Sequence, residues 1–295
     1  MFPASRLTDL HLCPAFSGPA PHLGGPISTP GHATTLIGSL IAARGTDQAT
    51  CAMGPPDFIV TGAGTCLIGG QPAARMLEKA MHGGVVIWGC FTVLIGGPSA
   101  GVTLGNPAAG NAACEAAAEG RTPKSTSQSW DNCGVESARQ IINTNTSANI
   151  SEQALLQQSM NNRTASIGTG ASPNNPSTWN NTSGRTGPAD RQAILASQGV
   201  ASTTQPQNMA NIEQAVAERR GVISAHRAGA LWGTTQGGFH AIVPTGVEYD
   251  ANGDPVAVIV NDTGIGQCQQ RVPIARYQGS LRSGYQINVT NNQVW

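Results

Sequence analysis

Leu67-Ile68-Gly69-Gly70-Gln71-Pro72-Ala73-Ala74-Arg75 joins a short apolar run, a glycine turn and a run of small residues that ends on a cation. The phrase occurs earlier as Leu36-Ile37-Gly38 with Ala42-Ala43-Arg44, and starts once more as Leu94-Ile95-Gly96 with its tail cut short. Seven residues after Arg44 stands Cys51, and seven after Arg75 stands His82. A repeat that keeps a metal-ligating residue type at one offset, while the rest of its period drifts, predicts strands wrapped around a shared ion.

Outward from the repeat, residues 1–97 read as short apolar runs (35–38, 65–69 and 91–95) broken by Gly and Pro, with no helical period. This is a small all-β unit. Residues 98–124 are rich in Gly, Ala, Pro and Ser and read as a linker, with 112–119 able to form a short helix. Residues 125–295 form a second domain, α+β, with helices first and sheet last. There Cys133 opens a helix over 133–142, Asp131 and Asn132 precede it as capping types, a weak helix is expected at 152–160, and 190–198 and 208–219 are helical in pattern. Between 160 and 188 the abundance of Asn, Ser, Thr and Gly predicts a long surface loop. A β series begins at 221–226. Its clearest strands, 239–249 and 255–262, flank Asp250-Ala251-Asn252-Gly253-Asp254, a hairpin signal.

At 295 residues and 39% hydrophobic content the chain can bury a sizeable core and accommodates about two domains. Sixteen Lys and Arg balance sixteen Asp and Glu, and no basic run exists, so direct nucleic-acid binding is not expected. The start lacks a basic segment followed by an apolar run, and 85–97 is too short to span about 30 Å of hydrocarbon. No signal peptide or transmembrane segment is expected, and synthesis in the cytoplasm is. Seven cysteines at irregular spacing read as thiols and metal ligands, not as a disulfide frame.

Zinc favours four tetrahedral ligands from His, Cys and carboxylates. His22, Cys51 and His82 each precede the glycine that opens a repeat strand (Gly31, Gly62, Gly89), and His11 supplies a fourth. Cys13, seven residues after Arg6, shares the offset of Cys51 and His82 and can replace His11. With the literal Pro72-Ala73-Ala74-Arg75, the segments Arg6 to Cys13, His22-Leu23-Gly24-Gly25-Pro26-Ile27 and His82-Gly83-Gly84 make this region resemble the PAAR-repeat proteins. The resemblance implies a β cone closed near its point by zinc, capping the trimeric spike of the type VI secretion system. That family usually follows its Arg directly with Gly-Asp, whereas the copies here read Arg44-Gly45-Thr46-Asp47 and Arg75-Met76-Leu77-Glu78.

In the second domain, a cysteine at a helix start is favoured as thiolate by the dipole and the unpaired amides. A cysteine nucleophile also needs an imidazole, and a third group to orient that imidazole. His240 begins one strand of the hairpin and Asn261-Asp262 ends the other, so antiparallel pairing sets them side by side. Register decides whether Asp262 or Asn261 faces the ring, with Asp262 favoured. Gln128 can donate to an oxyanion beside the Cys133 amide. His226 reads as structural, Cys114 and Cys268 have no catalytic context, and Trp130 and Trp232 are candidates to line a groove.

Gln128 to Cys133-Gly134, Gly237-Gly238-Phe239-His240-Ala241-Ile242-Val243 and Val258-Ile259-Val260-Asn261-Asp262 make this half similar to papain-like cysteine peptidases, notably the branch that trims bacteriocin leaders after a double glycine. The resemblance implies a papain-like fold and peptide-bond hydrolysis, with Gly-Gly as the specificity. The combined expectation is a secreted effector: a zinc-stapled tip that docks on the spike trimer, carrying a protease toxin into a target cell's cytoplasm, with a cognate immunity protein and a protein substrate there. Glutamine deamidation or transamidation by the same triad, and a structural tip with a non-catalytic extension, are the alternatives.

Overall fold

The computed structural model describes residues 1–119, 128–235 and 237–295. It separates into two compact units, Met1–Leu104 with Glu248–Val256, and Gly105–Val247 with Ala257–Trp295.

In the first unit the repeat becomes a closed threefold winding. Strand His32–Ile37 pairs with Leu40–Ala42, and Thr61–Ile68 pairs with Gln71–Ala73, each antiparallel. The third copy, which lacks its own tail, borrows one from the start of the chain: Cys90–Ile95 pairs antiparallel with Phe2–Ala4. A ring of backbone hydrogen bonds then closes the circle. The Ala43 N–H donates to Ser5 O, Ala74 to Ala43 O and Ser5 to Ala74 O, each at 3.0 Å.

Each Arg starts an identical turn. The N–H groups of Asp9, Asp47 and Glu78 donate to the carbonyls of Arg6, Arg44 and Arg75 at 3.1, 3.2 and 3.2 Å, and the third turn residues Thr8, Thr46 and Leu77 have φ of 77°, 79° and 72°. This is the type II pattern, held without glycine at its left-handed position. The side chains offset that strain, because each Arg ion-pairs with the acid three residues on, at 2.9, 3.2 and 2.6 Å. The apparent insertion Arg44-Gly45-Thr46-Asp47 is therefore the rule of all three copies.

The core between these strands is made of small residues. Ala42, Ala43, Ala73 and Ala74 are fully buried with Ile27, Ile59 and Val86. So little apolar volume leaves a unit of this size in need of a further tie.

The second unit has seven helices among its described residues: α1 (Pro107–Glu119), α2 (Cys133–Thr146), α3 (Glu152–Asn161), α4 (Pro188–Ser197), α5 (Met209–Ala217), α6 (Ala228–Trp232) and α7 (Ile274–Ser280). Its strands run in the order Ser202–Pro206, Gln286–Gln293, Arg220–Arg227, Phe239–Tyr249, Pro255–Asp262, Gln267–Pro273. The hydrophobic core lies between α2, α3, α4 and the sheet, around Ile141, Ile142, Leu155, Leu156, Ile194 and Ile223. No described helix is long and apolar enough to cross a membrane.

Three expectations are corrected. The linker over 98–124 is ordered as far as it is described, since Ser99–Gly101 and Thr103–Gly105 are strands and α1 follows; residues 120–124 lie outside the described residues, as do 125–127 of the second domain. Its small residues serve close packing, because a Cβ on Gly110 would overlap the Thr245 side chain. The unit boundary accordingly falls after Leu104, and not at 97. Cys114 and Cys268, 154 residues apart, form a disulfide that joins α1 to strand Gln267–Pro273. The stretch between α3 and α4 is more than surface loop, because Ala165 and Trp179 enter the core.

Candidate metal cluster and candidate active site

The threefold winding carries the residues at the shared +7 offset, Cys13, Cys51 and His82, to one place, and His22 joins them. Cys13 Sγ lies 3.5 Å from His22 Nδ1 and 3.6 Å from His82 Nδ1, and Cys51 Sγ lies 3.6 Å from His82 Nδ1. The four ligand atoms all lie within 4.8 Å of one another. Tetrahedral zinc, with Zn–S about 2.3 Å and Zn–N about 2.0–2.1 Å, sets sulfur and nitrogen about 3.6 Å apart, so the donor set fits such an ion.

The surroundings support ligation. Ser17 Oγ lies 2.8 Å from His22 Nε2, which leaves Nδ1 for an ion. Burial pushes the Cys13 and Cys51 thiols up and the His22 imidazole down, so each favours its uncharged form until a cation compensates. His11 is not among the four. Its Nδ1 donates to Gly25 O at 2.9 Å, and its Nε2 lies 3.3 Å from Asp57 Oδ2 and 3.8 Å from Cys51 Sγ. It thus stands behind Cys51, beside a carboxylate whose other oxygen accepts from the His82 N–H at 3.0 Å.

In the second unit Cys133 is the first residue of α2. Asn132 occupies the cap position but its side chain makes no capping bond, donating instead to Glu152 Oε1 at 3.0 Å. The amides of the first turn are therefore left to the sulfur and whatever binds beside it. The Ala241 N–H donates to Cys133 Sγ at 3.4 Å, and His240 is close enough to bear on the thiol's titration.

His240 Nε2 donates to Asp262 Oδ1 at 2.5 Å, which leaves Nδ1 for the sulfur. Asp262 is fully buried and receives further bonds from Trp232 Nε1 at 2.7 Å and the Gly264 N–H at 2.8 Å. Burial alone would lower the imidazole's pKa, but bonds to Asp262 and Cys133 push it up to about 10. Burial would likewise raise the thiol, yet His240 brings it below the ordinary value. Each partner therefore favours the charged form of the other.

Of the two candidates for the third position, Asp262 meets the ring. Asn261 points to the other face, donating to Gly110 O at 2.7 Å and Gln140 Oε1 at 3.0 Å. Gln128 lies at the cleft, its Oε1 accepting from Thr263 Oγ1 at 2.8 Å and its Nε2 donating to Trp130 O at 2.9 Å. His226 sits opposite His240 in the strand pairing, fully buried between Ser224 and Ser280, with burial and then His240 pushing it down to about 3. It stays neutral and structural.

Cys133 and His240 open into a cleft of about 540 Å3, with Gln128, Trp232, Phe239 and Gly264 in its walls. A second depression of about 530 Å3 shares Gln128 and Asp131 with it and is lined by Trp130 and Trp179. Both tryptophans named from sequence thus line a groove, and Trp232 also holds the carboxylate. The positioning role of Gly264 escaped the sequence reading: a Cβ there would lie 2.5 Å from His240 Cε1.

A comparison with curated proteins found no match to the chain. Residues 17–88 match the family model described as PAAR motif. They contain three of the four clustered ligands, His22, Cys51 and His82, and the literal Pro72-Ala73-Ala74-Arg75. This chain therefore carries a PAAR region with a Cys and His cluster able to hold a metal ion, consistent with a type VI spike-tip protein.

Proposed function

We propose that the chain is a type VI secretion effector whose first unit, stapled by one zinc ion, docks on the trimeric spike and whose second unit is a papain-like cysteine protease toxin. Docking is supported by the three repeat leucines Leu36, Leu67 and Leu94, which are 62%, 61% and 52% exposed where their neighbours Ile37 and Ile68 are buried. Three equivalent apolar knobs suit a threefold partner. Zinc would be held by Cys13, His22, Cys51 and His82 and would supply rigidity that the alanine core lacks.

The protease reading rests on one observation above the others, a cysteine at an uncapped helix start beside an imidazole that a buried carboxylate orients, with the sulfur and the imidazole open to a cleft. The Cys133 thiolate attacks the scissile carbonyl carbon, and the carbonyl electrons move to an oxygen held by the Cys133 amide and Gln128. Collapse breaks the C–N bond as His240 gives its proton to the leaving amine. Water, deprotonated by His240, then attacks the thioester, releasing acid and thiolate. The substrate is a protein of the recipient bacterium, cut at Gly-Gly in the finest form of the proposal, and a cognate immunity protein covers the cleft in the producer.

Expression of the full chain in bacteria beside Cys133→Ala, followed by comparison of both proteomes, tests this. Shortened host proteins that require Cys133 are expected. Intact proteins with Cys133-dependent gains of about one dalton would move the reaction to glutamine deamidation, and identical proteomes would reduce the second unit to a binding extension.

A further inference from the structure

Beneath the first turn of α2 lies a cation that the proposed mechanism does not use. Arg191, on α4, is only 2% exposed, and its side chain runs under Gly134: a Cβ at that position would lie 3.1 Å from Arg191 Cδ. Its Nε donates to Asn288 Oδ1 at 2.9 Å, Asn288 in turn donates to Pro188 O at 2.8 Å, and its Nη2 is buried without a hydrogen-bond partner. The other buried arginines differ. Arg75 and Arg139 each face a carboxylate three residues away, Glu78 and Glu136, whereas among the described residues Arg191 has no ion pair. A buried guanidinium bonded only to a neutral amide is costly unless a negative charge lies close by.

We infer that Arg191 is a positioning residue whose positive charge, carried beneath the first turn of α2, answers the sulfur of Cys133 and favours its thiolate. This rests on the protease reading and deepens it. The groups bearing on Arg191 are Tyr285, Cys133, Asp190 and Arg282. The Asp190 carboxylate already accepts from the Gly187 N–H at 2.6 Å, and the Tyr285 ring lies 5.8 Å from the guanidinium. The groups bearing on the sulfur are His240, the Ala241 amide, which donates to it at 3.4 Å, and Arg191, while Asp262 acts on His240. Arg191 thus adds a second positive charge to that of His240 in favour of the thiolate before attack and again when the thioester is hydrolysed. Gly134 is what lets the guanidinium stem pass so near the helix start.

The test is the pH dependence of Cys133 alkylation by iodoacetamide in the full chain, read by peptide mass spectrometry so that other thiols are separated. Wild type is compared with Arg191→Met and with Asn288→Asp, which keeps the shape of its side chain but gives Arg191 a carboxylate of its own. Both should move the alkylation midpoint up by about one pH unit, a roughly tenfold loss of thiolate on the acid side. Arg191→Lys should restore part of it. A merely structural arginine predicts no shift in Asn288→Asp, because its anchor is strengthened. Folded variants with the wild-type midpoint would overturn the inference and leave the protease reading standing. If Arg191→Met fails to fold, Asn288→Asp decides alone. A wild-type Cys133 that titrates like an ordinary thiol would sink both readings.

Discussion

His240 and Asp262 stand at opposite strands of one hairpin, 22 residues apart, with Nε2 of the imidazole 2.5 Å from Oδ1 of the carboxylate. The five-residue turn Asp250 to Asp254 connects the strands, closed by Asp250 Oδ1, which accepts from the N–H groups of Asn252 and Asp254 at 2.8 and 3.0 Å. A hairpin of fixed register is a precise way to meet the need for one tautomer, since slipping by one residue would exchange Asp262 for Asn261. Asp262→Asn should therefore lower kcat by at least about 100-fold while leaving the fold intact. Steady-state kinetics on a cleaved target, with circular dichroism as the control, would check it.

The same pair fixes a pH window. The thiolate is lost as pH falls through the Cys133 pKa, which lies below the ordinary thiol value, and the imidazolium is lost as pH rises through about 10. Because the two titrate together, the limbs belong to the pair. A profile of kcat/KM should hold a plateau on the acid side of ordinary thiol titration and fall near pH 10, and Asp262→Asn should draw the alkaline limb downward.

Asn261→Ala separates structure from catalysis. Its amide ties strand Pro255–Asp262 to Gly110 on α1 and Gln140 on α2, and both acceptors are buried. Losing these bonds should cost about 1–3 kcal/mol of stability. The pH profile should not move, in contrast with Asp262→Asn, and a denaturant titration beside the rate profile would show the difference.

For the metal cluster, Cys13→Ser should abolish retention of one zinc per chain, and His11→Ala should keep it. The two residues flank Leu12 in sequence, but Cys13 Sγ is 3.6 Å from His82 Nδ1 whereas His11 contacts Asp57 and Gly25 O. Elemental analysis of the purified full chain is sufficient. Retention in Cys13→Ser with loss in His11→Ala would reverse the ligand assignment.

What the sequence revealed follows the range over which its signals act. The helix from Cys133 and the strands over 239–249 and 255–262 were legible because periodicity and turn chemistry are local, and those spans match the strands Phe239–Tyr249 and Pro255–Asp262. Cys13 was legible only through the offset from Arg6, because the third repeat is assembled from the two ends of the first unit and is not contiguous in the chain. The Cys114–Cys268 disulfide spans 154 residues and leaves no local mark. The Gly and Ala of α1 resemble a linker in composition, but they permit close packing, which composition alone does not distinguish. Arg191 carries no sequence signal of its place, since nothing in its neighbourhood of sequence says that α4 lies on α2.

Gly264 offers the sharpest test of the site. It follows Asp262 by two residues, its N–H donates to Asp262 Oδ1 at 2.8 Å, and its α-carbon abuts the imidazole. A Cβ at 264 would lie 2.5 Å from His240 Cε1, 2.8 Å from Nε2 and 2.8 Å from Trp232 Cζ2. None of these atoms can yield cheaply, because the ring is held between Asp262 and Cys133 and the indole is tied to the same carboxylate. Gly264→Ala should therefore push His240 out of line with the sulfur and lower kcat by roughly 10- to 100-fold, in keeping with the cost of about 1 Å of misplacement. Cys133 should meanwhile alkylate more slowly at neutral pH, as its imidazolium partner moves off. Wild-type alkylation and turnover in Gly264→Ala would mean that the imidazole has room the packing denies it, and the ring would have to sit elsewhere during catalysis.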